Sequence, residues 1–176
     1  GAAFYAPKIS VQARDAIGRT WQMSTIQVDL MEPQRFELDY AAPDGTRQRP
    51  VMIHRALFGS IERFLGILIE HYAGALPLWL SPTQAVIVPI ADRHMDAAYE
   101  LKDKLEAVGG RVEIYGQNEP MRVKIAKAQQ QKIPYMLVMG DQEIANGQVS
   151  VRERHDGDLG LMSVEEITQI LADAQV

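Results

Sequence analysis

The residues best placed to do chemistry lie in and around one helical stretch. From Gly59 onward Ile61, Phe64, Leu65, Leu68, Ile69 and Tyr72 recur at helical spacing as far as Gly74. At 100° per residue, Gly59, Arg63 and Gly66 share one side of that helix within about 60° of each other, with Ser60 on the same shoulder. Each glycine costs a helix roughly 1 kcal/mol relative to alanine, so the pair needs a reason. An arginine flanked by residues without side chains can lie flat against a planar partner, and guanidinium stacking on an aromatic or heteroaromatic ring is what such a slot allows. A plainer reading fits the same spacing: Gly59 stands near the helix start and Gly66 relieves packing against a sheet.

The strand-like run Trp21-Gln-Met-Ser-Thr-Ile-Gln-Val-Asp carries two amides, Gln22 and Gln27. Their parity is opposite, so a straight strand points them to different faces, and only a bulge would bring both into one pocket. Of the four histidines, His71, His94 and His155 stand in polar or helix-end settings and read as solvated. His54, between Val51-Met-Ile and Arg55, reads as a satisfied core residue. A catalytic zinc site usually takes three protein ligands, and with no cysteine and no HxxxH-type pair none can be built here by spacing.

Gly-rich phosphate loops, GxSxG elbows and EF-hand loops are missing from the sequence. Asp141 and Glu143 stand close together in what reads as a loop and short turn. Arg122, Lys124, Lys127 and Lys132 lie on or beside one helix, and Arg152 and Arg154 alternate on a strand and so share a face. From residue 78 onward ten Lys and Arg face fifteen Asp and Glu, so a solvated helix face is one reading and an RNA surface with a few positioned arginines is the other.

These residues need elements to hold them. Lys8–Ala13 alternates, Asp15-Ala-Ile-Gly makes a turn, and Thr20–Leu30 is a second strand. Arg35–Ala41 reads as a third, Ala42-Pro-Asp-Gly as a turn and Val51–Arg55 as a short strand before the helix. Gly74-Ala-Leu-Pro-Leu-Trp-Leu-Ser-Pro is the expected boundary, giving domains at 1–76 and 78–176. Beyond it strands and helices alternate: Ala85–Ile90, Arg111–Tyr115, Tyr135–Met139 and Gln148–Arg154 as strands, Asp92–Val108, Met121–Gln131 and Ser163–Ala174 as helices. Ser163 with Glu166 forms a capping box. The fold class is therefore α/β with an α+β first part: an antiparallel sheet and one long helix, then a mainly parallel α/β module.

With 176 residues, 47% of them hydrophobic, the chain can bury a core, and its apolar runs are far short of the ~20 residues a membrane span needs. Zero cysteine removes disulfides, thiolate metal sites and cysteine nucleophiles together and fits a reducing compartment. A net charge of −5 argues against a non-specific nucleic-acid binder. No signal peptide is visible at the start, and Phe4-Tyr5 before a proline reads as mid-domain sequence, so a piece of a longer protein is expected.

The run Arg49-Pro-Val-Met-Ile-His-Arg-Ala-Leu-Phe-Gly-Ser-Ile-Glu-Arg-Phe-Leu-Gly-Ile-Leu-Ile-Glu-His-Tyr-Ala-Gly closely resembles the third class-defining motif of bacterial threonyl-tRNA synthetases. Ala3-Phe-Tyr-Ala-Pro-Lys, the Trp21 run and Pro134-Tyr-Met-Leu-Val-Met-Gly-Asp match the same family in the same order. The resemblance spans essentially the whole chain. It implies the C-terminal part of a class II catalytic domain followed by an anticodon-binding domain, in a cytoplasmic, homodimeric ligase that joins threonine to ATP and then to tRNA(Thr). By matching position, Arg63 is the arginine that stacks on adenine, Ser60 and Gln22 line the adenylate side, and Tyr5 and Gln27 belong to the threonine pocket. Lys8 is the family's lysine in its string, counted with Arg63 and Gln22 as catalytic.

His54 resembles one of three zinc ligands, where the metal grips the amino group and hydroxyl of threonine; Mg2+ accompanies ATP. Asn118, Lys132, Glu143 and Arg152 match anticodon-reading positions, with Lys132 standing where an arginine is common. Met23-Ser replaces a Cys-Gly pair common in relatives. The remaining zinc ligands, the dimer-forming first motif and the second motif with its α-phosphate arginine are expected upstream. The chain alone is therefore expected to be inactive. The alternative is a stand-alone synthetase-like module that binds tRNA without catalysis.

Overall fold

The fold, taken from a computed structural model, is described for residues 2–3 and 6–175, with side chains from residue 7 onward. It divides into two compact units, residues 1–73 and 74–176.

In the first unit the strands are β1 (Ala2–Ala3), β2 (Ala6–Arg14), β3 (Thr20–Asp29), β4 (Tyr40–Ala41), β5 (Arg47–Gln48) and β6 (Met52–Ala56). Strands β1-β2-β3-β6 form an antiparallel sheet in that order, and β4-β5 a separate ribbon. The β2–β3 hairpin closes around Asp15, only 8% exposed. Its carboxylate accepts from the Ile17 and Arg19 backbone N–H groups (3.1 and 2.7 Å), from the Arg19 guanidinium and from the Trp21 indole N–H at 2.8 Å. Burial pushes this carboxyl up, but those donors outweigh it and bring its pKa down from 3.8 to about 2.

The segment expected as a strand over Arg35–Ala41 is different. Helix α1 (Glu32–Arg35) comes first, and only Tyr40–Ala41 is extended. Pro33 presets the first helical turn, and Asp29 Oδ1 accepts from the N–H groups of Met31 (2.8 Å) and Glu32 (3.0 Å). Asp29 thus ends β3 and caps α1 with one side chain. Helix α2 (Ile61–His71) follows, with Ser60 as its N-cap.

The second unit has β7 (Ala85–Pro89), β8 (Val112–Ile114), β9 (Tyr135–Met139), β10 (Gln148–Glu153) and β11 (Gly157–Ser163), in sheet order β11-β10-β9-β7-β8. Strands β8, β7 and β9 are parallel; β10 and β11 add an antiparallel hairpin. Its helices are α3 (Met95–Ala107), α4 (Met121–Gln130), α5 (Asp141–Asn146) and α6 (Val164–Asp173). The alternation of side chains along β7 and β9 makes two cores. Ala85, Ile87, Leu137 and Met139 pack with Leu101 and Leu105 of α3 and Ile167 and Leu171 of α6. Val86, Val88, Met136 and Val138 pack with Ala128 of α4 and Tyr115. Ser163 and Glu166 form their capping box, each side chain taking the other's backbone N–H. Helix α5 takes the place of the loop and short turn expected around Asp141 and Glu143, and strand β11 has no counterpart among the expected elements. Among the described residues no helix is long and apolar enough to cross a membrane.

Candidate functional site

The polar face of the first sheet is built by register. Lys8 pairs with Gln27, and Gln27 with His54, so the three form one row across β2, β3 and β6. Thr25 and Asp29 share that face by parity and are buried at 6% and 1% exposure. The opposite face carries Ile9, Ile26 and Ile53, all largely exposed.

Gln22 joins the polar face through a β-bulge. Val11 pairs with Ser24 but Gln12 pairs with Gln22, so Met23 is an extra residue on β3 without a partner on β2. The slip reverses the parity of everything before it. The Gln22 amide accordingly donates to Thr25 Oγ1 at 2.7 Å. The bulge that the sequence required, if Gln22 and Gln27 were to meet on one face, is present.

Gly59 stands against the same bulge. Its φ of +66° is the left-handed region, and a Cβ there would meet the carbonyl oxygens of Met23 at 3.2 Å and Gln22 at 3.3 Å. This corrects the helical slot expected around Arg63. Gly59 precedes α2 and serves the turn, and only Gly66, where a Cβ would meet no atom within 4 Å, leaves open space on the helix. Ser60 Oγ accepts from the Arg63 N–H at 3.3 Å and donates to Glu62 at 2.7 Å, which starts the helix. The Arg63 guanidinium lies over the Trp21 ring, 5.5 Å from its centroid, so the planar partner within the chain is an indole. Tyr5 lies outside the described residues.

His54 is half-buried, with Nε2 3.0 Å from Asp29 Oδ2 and 3.6 Å from Glu32 Oε2. The Asp29 carboxyl is held below its ordinary range, first by the Glu32 N–H, against burial, and then by His54. The ligand atoms of Asp29, Glu32 and His54 lie within 4.8 Å of one another. An imidazole suits zinc in donor chemistry, and the Asp29 carboxylate against His54 stands as the orienting partner that a ligating histidine usually has. Spacing does not reveal this cluster, because its members are 25 and 22 residues from His54 in sequence and meet only through the β3–β6 pairing.

In the second unit the four residues matched to anticodon reading stand in different elements. Asn118 lies in the loop after β8 and lines a cavity of about 230 Å3 with Asp92, Gly116, Glu119 and Lys124. Glu143, on α5, accepts the Gly140 N–H at 2.9 Å and so caps its own helix. Lys132 follows the α4 C-cap at φ +61°, and its carbonyl accepts from Arg154 at 2.7 Å. Arg152, on β10, is half-buried; its Nη1 is 3.5 Å from Asp158, and its buried Nε has no hydrogen-bond partner among the described residues. An orphaned buried donor is costly unless a ligand completes it.

Two expectations of solvation are overturned. His94 is 2% exposed: its Nδ1 accepts from the Ala91 N–H at 3.2 Å, so the proton is on Nε2, 2.9 Å from Asp141 Oδ1. Asp141 also takes Arg93, and that guanidinium, followed by His94, holds its carboxyl far below the carboxylate range. Lys124 is 5% exposed, whereas Lys127 keeps its ammonium 5.0 Å from the Tyr115 ring.

Comparison with known proteins adds the lineage of these parts. The family model of the anticodon binding domain matches residues 84–173, and that of the tRNA synthetase class II core domain (G, H, P, S and T) matches residues 1–72. The threonine–tRNA ligase of Parafrankia sp. (strain EAN1pec) is 56% identical over 174 residues, 99% of this chain and 26% of the relative. That of Thermobifida fusca (strain YX) is 60% identical over 154 residues, 88% of this chain and 23% of the relative. The crystal structure of the RNA binding domain of threonyl-tRNA synthetase from Cryptosporidium parvum Iowa II matches with a TM-score of 0.91 at 34% identity, covering 99% of this chain and 44% of that one. The chain spans about a quarter of the length of the curated relatives it matches.

Proposed function

The chain belongs to the anticodon binding domain family and joins that domain to part of a class II synthetase core, and on that premise we propose that it works as one portion of a threonine–tRNA ligase. The parent activity is ATP-dependent activation of threonine and its transfer to tRNA(Thr). The observation that carries the reading is the bulge: it puts Gln22 on the face of Gln27 and His54, as a shared adenylate and threonine pocket requires.

The roles follow from the groups present. The Arg63 guanidinium, near the start of α2, stacks on the adenine ring, with the Trp21 indole 5.5 Å away as its aromatic neighbour within the chain. Ser60 and Gln22 line the adenylate side. Gln27, with Tyr5, contacts threonine, and Lys8 supplies positive charge in the same row. His54, oriented by Asp29, would be this chain's ligand to zinc. When bound, the metal supplies a Lewis acid that a substrate hydroxyl can reach, which valine lacks. In the second unit Asn118, Lys132, Glu143 and Arg152 contact anticodon bases, and the unpaired Arg152 Nε is the donor most in need of one. Mg2+ with ATP, a homodimeric parent and a cytoplasmic location complete the reading.

Threonine-dependent ATP–pyrophosphate exchange tests it. In the full-length parent Arg63→Ala should raise the KM for ATP far more than that for threonine. The 176-residue chain by itself should read background. Parental turnover by the chain alone would contradict the division of the site, and an unchanged KM for ATP would contradict the role of Arg63. The second reading, a tRNA-holding module without catalysis, is favoured by one observation: residues 74–176 form a compact unit with a core on each face of their sheet.

A further inference from the structure

The cavity of about 230 Å3 beside Asn118 holds a cation that nothing in the fold requires. Lys124 is 5% exposed, and among the described residues its ammonium makes one hydrogen bond, to the Pro89 carbonyl at 3.2 Å. An ammonium carries three donors, and a buried charge with a single neutral partner is a poor structural device. Methionine would fill the same volume without taking a charge out of water, at the loss of one bond to Pro89. The cavity supplies what the cation lacks: an opening, bounded by the exposed Asp92, Asn118 and Glu119.

We propose that Lys124 is a base-reading residue of this module, whose ammonium takes the carbonyl oxygen of a keto base, guanine or uracil, inserted into the cavity. The inference rests on the reading that residues 74–176 bind tRNA. A keto base presents a carbonyl acceptor beside a ring N–H donor. The donor is met here by the carboxylates of Asp92 and Glu119, and the acceptor by Lys124. Adenine and cytosine present an amino group where the keto base has its oxygen, and would face the ammonium with a second donor. The volume is below the roughly 300–1,000 Å3 of pockets for drug-sized ligands, which suits one base unstacked from a loop.

The test is binding of the whole chain to the anticodon stem-loop of tRNA(Thr), with each anticodon base changed in turn from keto to amino (G to A, U to C). The unaltered chain should lose about tenfold in affinity for a change at one position, and K124M and K124Q should bind the unchanged RNA about tenfold more weakly and no longer distinguish the bases there. Variants that keep the discrimination at every position, or weaken all RNAs alike, would overturn the assignment and make Lys124 a structural or phosphate contact. The 15N signal of the Lys124 ammonium in the unaltered chain needs no variant: it should shift with the keto RNA and not with the amino one, and equal shifts would overturn the proposal. Failure of the unaltered chain to bind any stem-loop would overturn the tRNA-binding reading as well.

Discussion

The side-chain amide of Gln22 donates to Thr25 Oγ1 at 2.7 Å although the two are three residues apart on one strand. Regular pleating would set them on opposite faces, and the unpaired Met23 between them is the reason they meet. Gly59 is what lets the chain pass over that bulge, in a left-handed conformation against two carbonyl oxygens. Gly59→Val should therefore destabilise the first unit by about 1–3 kcal/mol, since it adds both a strained φ and a close contact. Urea unfolding followed by Trp21 fluorescence, in a background where Trp79 is phenylalanine, measures this. Gly66→Ala, where nothing lies within 4 Å, should be neutral or stabilising.

Asp15 makes the hairpin acid-sensitive. Its carboxyl titrates at about 2 in the folded chain against 3.8 ordinarily, so the folded state binds the proton less readily than the unfolded one. Its contribution to stability is full above pH 4 and is lost as pH falls toward about 2. Stability measured across that interval should fall less steeply in Asp15→Asn than in the unaltered chain. Parallel curves would mean that the ion pair with Arg19 and the bond from Trp21 carry no linkage.

Asp29 has two duties, one per oxygen. Asp29→Ala should release both the α1 cap and His54, and amide hydrogen exchange should lose protection at Met31 and Glu32. Asp29→Asn keeps one acceptor oxygen and should fall between. Unchanged exchange in the alanine variant would show that Pro33 alone holds the turn.

His94 links the loop after β7 to α5 through Asp141. His94→Ala removes a buried ring and leaves the Ala91 N–H without its acceptor, and should cost about 2 kcal/mol in urea unfolding of the second unit.

What could be read from the sequence follows from what each segment buries. Ala85–Pro89 and Tyr135–Met139 are covered on both faces and stand out as unbroken apolar runs. Strand β11 does not, because Asp158, Leu159 and Leu161 are exposed and Gly157 and Gly160 take positive φ, so no alternation marks it. The bulge at Met23 has no residue signature of its own; the conflict of parity between Gln22 and Gln27 was its only trace. The burial of His94 and the Asp29–His54 pair depend on partners 47 and 25 residues away, which local spacing does not report. The same holds for Lys124, which shares α4 with the exposed Lys127 and differs from it in facing the end of β7.

The proposed function gives the second unit the reading of a threonine anticodon. The most direct measurement is the affinity of the chain for the tRNA(Thr) anticodon stem-loop against stem-loops of unrelated anticodons, with and without Arg152→Ala. The unaltered chain should bind the threonine loop more tightly, and most of that preference should be lost when the arginine and its unpaired Nε are removed. Equal affinity for all loops, or an equal loss across them in the variant, would contradict it and reduce Arg152 to a phosphate contact.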